Sequence, residues 1–235
     1  MTGIFKGSTE LLAGDLQVGS TVVQKVYLGS SQIWPGPDAY KIAILADSPI
    51  SYFRLDDTSS SCVDETGNTT GSYLSTYTLE QPGLISFGSS VLFSGGRVSL
   101  ASPGMTGTTY TLECWFQGSN VAGTYQALLH QSGVALYVNG SKLDFYFSGS
   151  HFNNTTLSND TTYHVVLSVN AGAGTFYLNG VADGTVSGCP AINPASIGSH
   201  TTTGVEPFAG YIDEVAFYQT ALTAQQALNH YNAGV

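Results

Sequence analysis

"FAGYIDEVAFYQTALTAQQALNHYNAG", residues 208–234, decides how the rest of the chain is read. From Gly210 onward, Tyr211, Asp213, Val215 and Phe217 alternate with Ile212, Glu214, Ala216 and Tyr218, and this period of two predicts a β-strand. Thr223 then offers a helix N-cap with Gln226 three residues on, followed by Ala227 and Leu228, with Gly234 as a stop. A short helix is expected there. A regular strand sends the neighbouring carboxylates Asp213 and Glu214 to opposite faces, so they are not expected to act on one bond.

Upstream, strand signals recur with turn residues between them. In "YTLECWF" (110–116), Tyr110, Leu112, Cys114 and Phe116 share one face, and Thr111, Glu113 and Trp115 the other. "YHVVLSV" (163–169) sets Tyr163, Val165, Leu167 and Val169 against His164, Val166 and Ser168, which makes His164 an expected exposed strand histidine. Asn139-Gly140 and Asn179-Gly180 each lie between alternating runs and suit two-residue hairpin turns, because both residue types tolerate positive φ. Many strands, one terminal helix and no alternation of strands with helices predict an all-β antiparallel sandwich of the jelly-roll kind.

Pro35-Gly36-Pro37 punctuates the chain and places a boundary near Pro37. Residues 1–37 are expected to form a small β module in which "KVYL" and "QIW" flank a Gly29-Ser30 turn. Residues 38–235 form the main domain. So small a leading piece is expected to dock on a partner or on its neighbour.

Composition narrows the function. Six Lys and Arg against sixteen Asp and Glu leave a formal charge of -10, which argues against a nucleic-acid partner held through phosphates. No segment is apolar enough to predict membrane insertion, and no secretion signal is read. Cys62, Cys114 and Cys189 have no C-x-x-C spacing, so free thiols are expected rather than a cysteine-based zinc site, with one disulfide left open and no pair chosen.

Several segments together resemble the laminin-G-like, concanavalin A-like lectin/glucanase jelly-roll family. "SPISYFRLDD" (48–57) resembles its opening strand, "VDETGN" (63–68) the loop that follows, and "YTLECWF" an inner strand. "TTYHVVLSVNAGAGTFYLNGVADG" (161–184) is similar to its later strand pair, and residues 208–234 to its closing strand and helix. The resemblance covers about residues 40–235. It implies a structural calcium ion where the loop meets the closing strand, with Asp64, Asn68 and Asp213 at the matching positions. The alternative is that Asp64 caps a turn and Asp213 bonds loop amides. "KVYLGSSQIWPG" (25–36) is similar to short modules of bacteriophage tail and other virion proteins.

No Glu-x-Asp-x-x-Glu, G-x-S-x-G or H-E-x-x-H occurs, and the five histidines look scattered, so no catalytic residues are expected. Sugar binding would use aromatic faces, and the candidates are Tyr73, Tyr77, Trp115, Tyr125, Tyr146 and Phe152. Together these readings predict a virion surface protein of a phage, multimeric in the particle. Residues 1–37 would contact other virion proteins and the sandwich would bind host surface polysaccharide. Architectural decoration and glycan cleavage are the alternatives.

Overall fold

The computed structural model describes residues 38–201 and 205–235 and, before them, only the backbone of six short strands. Those are β1 (Phe5–Lys6), β2 (Thr9–Glu10), β3 (Gln17–Val18), β4 (Thr21–Val22), β5 (Lys25–Leu28) and β6 (Ser31–Pro35), paired in three successive antiparallel ladders. The expected strand pair of residues 25–35 is β5 with β6.

The main domain opens with a helix that the sequence reading missed, α1 (Ala39–Ala46), whose N-cap Asp38 accepts the amide of Lys41 at 3.0 Å. Then come β7 (Ser51–Phe53), β8 (Ser61–Cys62), β9 (Gly71–Leu74), β10 (Tyr77–Pro82), β11 (Ser89–Ser94), β12 (Arg97–Leu100) and β13 (Tyr110–Gly118). Next are β14 (Gln126–Gln131), β15 (Val134–Asn139), β16 (Lys142–Tyr146), β17 (Thr162–Asn170), β18 (Ala173–Leu178), β19 (Val181–Ser187), β20 (Ser196–Ile197) and β21 (Ala209–Tyr218). The chain closes with α2 (Ala224–Gly234).

Two antiparallel sheets result, as a jelly-roll sandwich requires. One runs β10-β11-β21-β13-β17-β18-β19, with β7 on the end of β21, and the other β16-β15-β14-β20-β12-β9-β8. Between them lies the main core, which takes Leu112, Cys114 and Phe116 from β13, Val165 and Leu167 from β17, and Leu136, Val138 and Phe145 from the opposite sheet. The alternation read in β13 and β17 is therefore correct. Their second face is buried as well: α1 and α2 cover it, and Tyr40, Ile44 and Ala227 pack on Trp115, Val166, Ala216 and Tyr218.

The closing strand β21 pairs with β13 on one side and with β11 and β7 on the other, tying the chain's end to the start of the domain. Gly210 makes the approach possible, since a Cβ there would lie 2.1 Å from the Gln117 carbonyl. Strict alternation fails further along. Glu214 takes φ 52° in a bulge where the register against Glu113–Trp115 shifts. Ile212 and Val215 thus both reach the main core, whereas Asp213 and Glu214 share the helix-covered face, contrary to the opposite-face expectation.

Both Asn-Gly hairpins form, with a one-residue difference at the first. There Gly140 and Ser141 are the positive-φ pair, at 57° and 65°, because Asn139 stays in the strand and its side-chain amide donates to Asp144 at 2.9 Å. The second hairpin uses Asn179 and Gly180 as read. The Thr223–Gln226 capping box is present. Gly234 lies inside α2 rather than beyond it, and a Cβ on it would meet the Trp115 ring at 2.5 Å.

Candidate functional site

The outward face of the second sheet gathers aromatic side chains through strand register. Ala127, Tyr137 and Asp144 stand opposite one another across β14, β15 and β16, and Phe152 continues the row through a bridge to Asp144. Beside it, Ser196, His130, Ala135 and Tyr146 form a parallel row. Residues paired across strands point to the same face, so the two alanines act as a floor between larger groups. Tyr125, on the turn before β14, leans over this floor. Its ring lies 5.5 Å from Tyr137 and 5.8 Å from Tyr146, both edge to face, and Tyr137 and Tyr146 are 6.2 Å apart.

Exposure grades across the patch. Tyr137 and Asp144 are buried, Tyr146 is half-buried, Tyr125 is 37% exposed and Phe152 47%. The buried members are fixed by hydrogen bonds. Asp144 accepts the His151 amide at 2.8 Å, and the Tyr137 hydroxyl donates to Glu206 at 2.6 Å. Burial first, then the Glu206 bond, pushes the Tyr137 hydroxyl well above the usual phenol range, so it stays a donor. The segment carrying Glu206 is held against β14 by a bond from the Ala127 amide to the Glu206 carbonyl at 3.0 Å. A rigid aromatic surface with hydroxyl, amide and carboxylate groups at its rim suits a polar ligand with apolar faces.

Of the six aromatic residues expected from sequence, this face brings together Tyr125, Tyr146 and Phe152. Tyr73 and Trp115 are corrections. Tyr73 is 3% exposed, in the main core, with its hydroxyl on Asp57, and Trp115 is 2% exposed under α2, stacked on Tyr231. The Tyr73 ring offers no face to a solvent-borne ligand, and Trp115 reaches only the wall of a cleft beside α2, on the sheet opposite the tyrosines. Tyr77 is half-buried with its ring 5.0 Å from that of Tyr73, away from the patch. Tyr137 escaped the reading because its signal, a tyrosine on the polar phase of "VALYVN", exists only once β14 and β16 flank it.

The residues matched to a metal loop are placed as follows. Asp64 accepts the amides of Tyr52, Thr66 and Thr69 at 2.8–3.0 Å, and Asn68 donates its side-chain amide to the Ile50 carbonyl. Asp213 accepts the Leu84 amide at 2.8 Å under the helices, and its second oxygen has no hydrogen-bond partner. The three cysteines are free and buried.

Two buried polar clusters lie under the helices, on the sheet opposite the tyrosines. In one, Glu113 receives the Tyr40 hydroxyl at 2.9 Å, His164 Nε2 at 2.8 Å and His230 Nδ1 at 3.1 Å, while His230 Nε2 reaches Asp47 at 2.9 Å. His164 is fully buried rather than exposed. Burial opposes the Glu113 charge, but His230 and His164 hold its carboxyl far below the usual range. The Glu113 and Asp47 carboxylates in turn raise His230 against its own burial. In the other, Arg54 is shared by Glu214 at 2.9 Å, Asp38 at 2.8 Å and Asp56 at 3.4 Å, and the Tyr52 hydroxyl donates to Glu214. Neither cluster opens towards the tyrosine face. A cleft of about 310 Å³ does lie on this side, between Leu84–Ser86 and the end of α2.

The sequence profile of the concanavalin A-like lectin/glucanases superfamily matches residues 93–227, more than half of the chain. The chain belongs to this superfamily. Among solved structures, domain 4 of AbnA, an extracellular GH43 arabinanase of Geobacillus stearothermophilus in complex with arabinotriose, is similar at TM-score 0.65 and 18% identity. The match covers 78% of this chain and 98% of that one. Botulinum neurotoxin type C, whose cell entry depends on two ganglioside molecules, is similar at TM-score 0.61 and 14% identity over 81% of this chain and 52% of that one. A carbohydrate-binding protein assignment from Bacteroides ovatus reaches TM-score 0.51 at 20% identity, over 60% and 46% of the two chains. The chain thus spans about half the length of the last two. A search of curated proteins finds no match.

Proposed function

We propose that this chain is a non-enzymatic glycan-binding protein of a bacteriophage virion, which displays its sandwich outward to bind host surface polysaccharide. The observation that carries the reading is the tyrosine face: Tyr125, Tyr137 and Tyr146 packed edge to face over Ala127 and Ala135, with exposed Phe152 in line. Rings locked by neighbours lose little freedom on binding, and C–H faces of a sugar stack on exposed Tyr125 and Phe152 and half-buried Tyr146, with buried Tyr137 packed against the two tyrosines, while rim hydroxyls and carboxylates take its hydroxyl groups. The arabinotriose complex of the similar AbnA domain supports the ligand class. The likeness of residues 25–36 to phage modules supports the virion, where residues 1–37 would attach to other virion proteins and many copies would add up weak contacts. The burial of Asp213 and Glu214, one of them held by Arg54, supports binding without hydrolysis.

A glycan array of host polysaccharides, probed with the protein clustered on beads, tests this. Wild-type protein binds a subset, and Tyr125→Ala with Phe152→Ala loses on the order of tenfold or more while its thermal midpoint holds, because both side chains are exposed. A blank array at high clustering, or undiminished binding by the double variant, would remove the basis of the proposal.

A further inference from the structure

Beside the tyrosine face, three metal-ligating side chains from distant parts of the sequence converge. His130 stands on β14, whereas His200 and Glu206 belong to the segment that follows β20, and one ligand atom of each lies within 4.8 Å of the others. Among the described residues, no other group of histidine, cysteine and acidic side chains meets that spacing. The backbone builds the arrangement. The His200 amide bonds the Val205 carbonyl at 3.1 Å, which sets His200 and Glu206 side by side, and the Ala127 amide bonds the Glu206 carbonyl, which holds both against β14.

A second observation points to a ligand. His130 is 2% exposed, and its Nδ1 is buried with no hydrogen-bond partner, an expensive condition for an imidazole nitrogen in a well-packed sheet face. The His130 and His200 rings are 4.1 Å apart between centroids, tilted by 46°. The Tyr137 hydroxyl donates to Glu206 Oε2 at 2.6 Å, in the way that outer hydrogen bonds orient metal-binding carboxylates.

We propose that His130, His200 and Glu206 bind a divalent transition-metal ion of the zinc class, which ties His200 and Glu206 to β14. Two imidazoles and one carboxylate suit zinc. Calcium would want six to eight oxygen ligands, which these side chains do not offer. Tetrahedral zinc spaces its ligand atoms roughly 3.3 Å apart, so small side-chain rotations close the site. Three protein ligands leave one coordination position for water. The site stands independently of glycan binding, although Tyr137 joins the two.

The test uses untagged full-length protein stripped of metal, titrated calorimetrically with zinc chloride and with calcium chloride, and with cobalt(II) followed by its visible absorption. The expected result is one zinc per chain, no heat from calcium at the same concentration, and cobalt bands of a nitrogen- and oxygen-ligated ion. His200→Ala and Glu206→Gln, both at half-buried positions that tolerate change, weaken zinc at least a hundredfold, and Tyr137→Phe weakens it about tenfold. Zinc raises the thermal midpoint of wild-type protein and leaves that of His200→Ala unmoved. Absence of zinc binding by wild-type protein, or equal binding by His200→Ala and Glu206→Gln, would overturn the site.

Discussion

Glu113→Ala lowers the stability of the domain by about 3–5 kcal/mol, the cost of removing one partner from a buried charged network. The carboxylate is the shared partner of the Tyr40 hydroxyl, His164 Nε2 and His230 Nδ1, which come from α1, β17 and α2, so its loss removes a partner from three elements at once. With both ring nitrogens donating to carboxylates, His230 is an imidazolium, and it would stay beside Asp47 alone. For a chain of this length, such a loss lowers the thermal midpoint by on the order of 10 °C. Tyr40→Phe removes one donor of the three and costs about 1 kcal/mol. Acid acts in the same direction as Glu113→Ala. The folded carboxyl ionises far below its ordinary range, so its contribution is complete above about pH 4.5 and is lost as the pH falls. Thermal melts of the three proteins check the order, and equal midpoints for wild type and Glu113→Ala would contradict it.

Alkali weakens the fold through the other cluster. Burial pushes Glu214 up to about 8 against the pull of Arg54 and the Tyr52 hydroxyl. Asp213 goes well above the carboxylate range through burial and the Glu214 charge, with the Leu84 amide as the main opposing hydrogen bond. One guanidinium facing Glu214, Asp38 and Asp56 cannot neutralise all three, so the pair retains a proton, which we place on Asp213 because its free oxygen touches no cation. Folded values above unfolded ones contribute stability that is complete below about pH 4 and is lost as the pH rises through the folded values. The expected loss between pH 6 and pH 9 is on the order of 3 kcal/mol. Asp213→Asn, which carries its neutrality at every pH, should match wild type near pH 5 and surpass it near pH 9. His230 adds a loss of the same sign in both proteins, so the difference between their denaturant midpoints isolates the pair. Parallel profiles would contradict the assignment.

Much of the fold was legible because its signals are local. The alternation in "YTLECWF" and "YHVVLSV", the two hairpins and the Thr223 capping box each concern neighbours in sequence, and each has its counterpart in the structure. What escaped depends on distant partners. The second faces of β13 and β17 looked solvent-facing because nothing local says that α1 and α2 lie over them, and so Trp115 and His164 were misplaced. Helix α1 was missed although Asp38 and the i, i+4 pair Tyr40 and Ile44 mark it, since "AYKIAILA" is apolar nearly throughout and lacks a clear polar face. The bulge at Glu214 has no residue type that announces it, and it alone reverses the conclusion about the acidic pair's faces. Histidines that looked scattered meet in twos, His164 with His230 on Glu113 and His130 with His200, because strand order rather than spacing brings them together.

The central claim is that a glycan rests on the tyrosine face and not in the cleft beside α2. Titration of a bound oligosaccharide into isotopically labelled protein, followed in the aromatic region of the NMR spectrum, locates it directly. The predicted result is saturable shifts of Tyr125, Tyr137, Tyr146 and Phe152 with Trp115 and Tyr231 unmoved. Shifts confined to Trp115 and Tyr231, which line the opposite cleft, would contradict it.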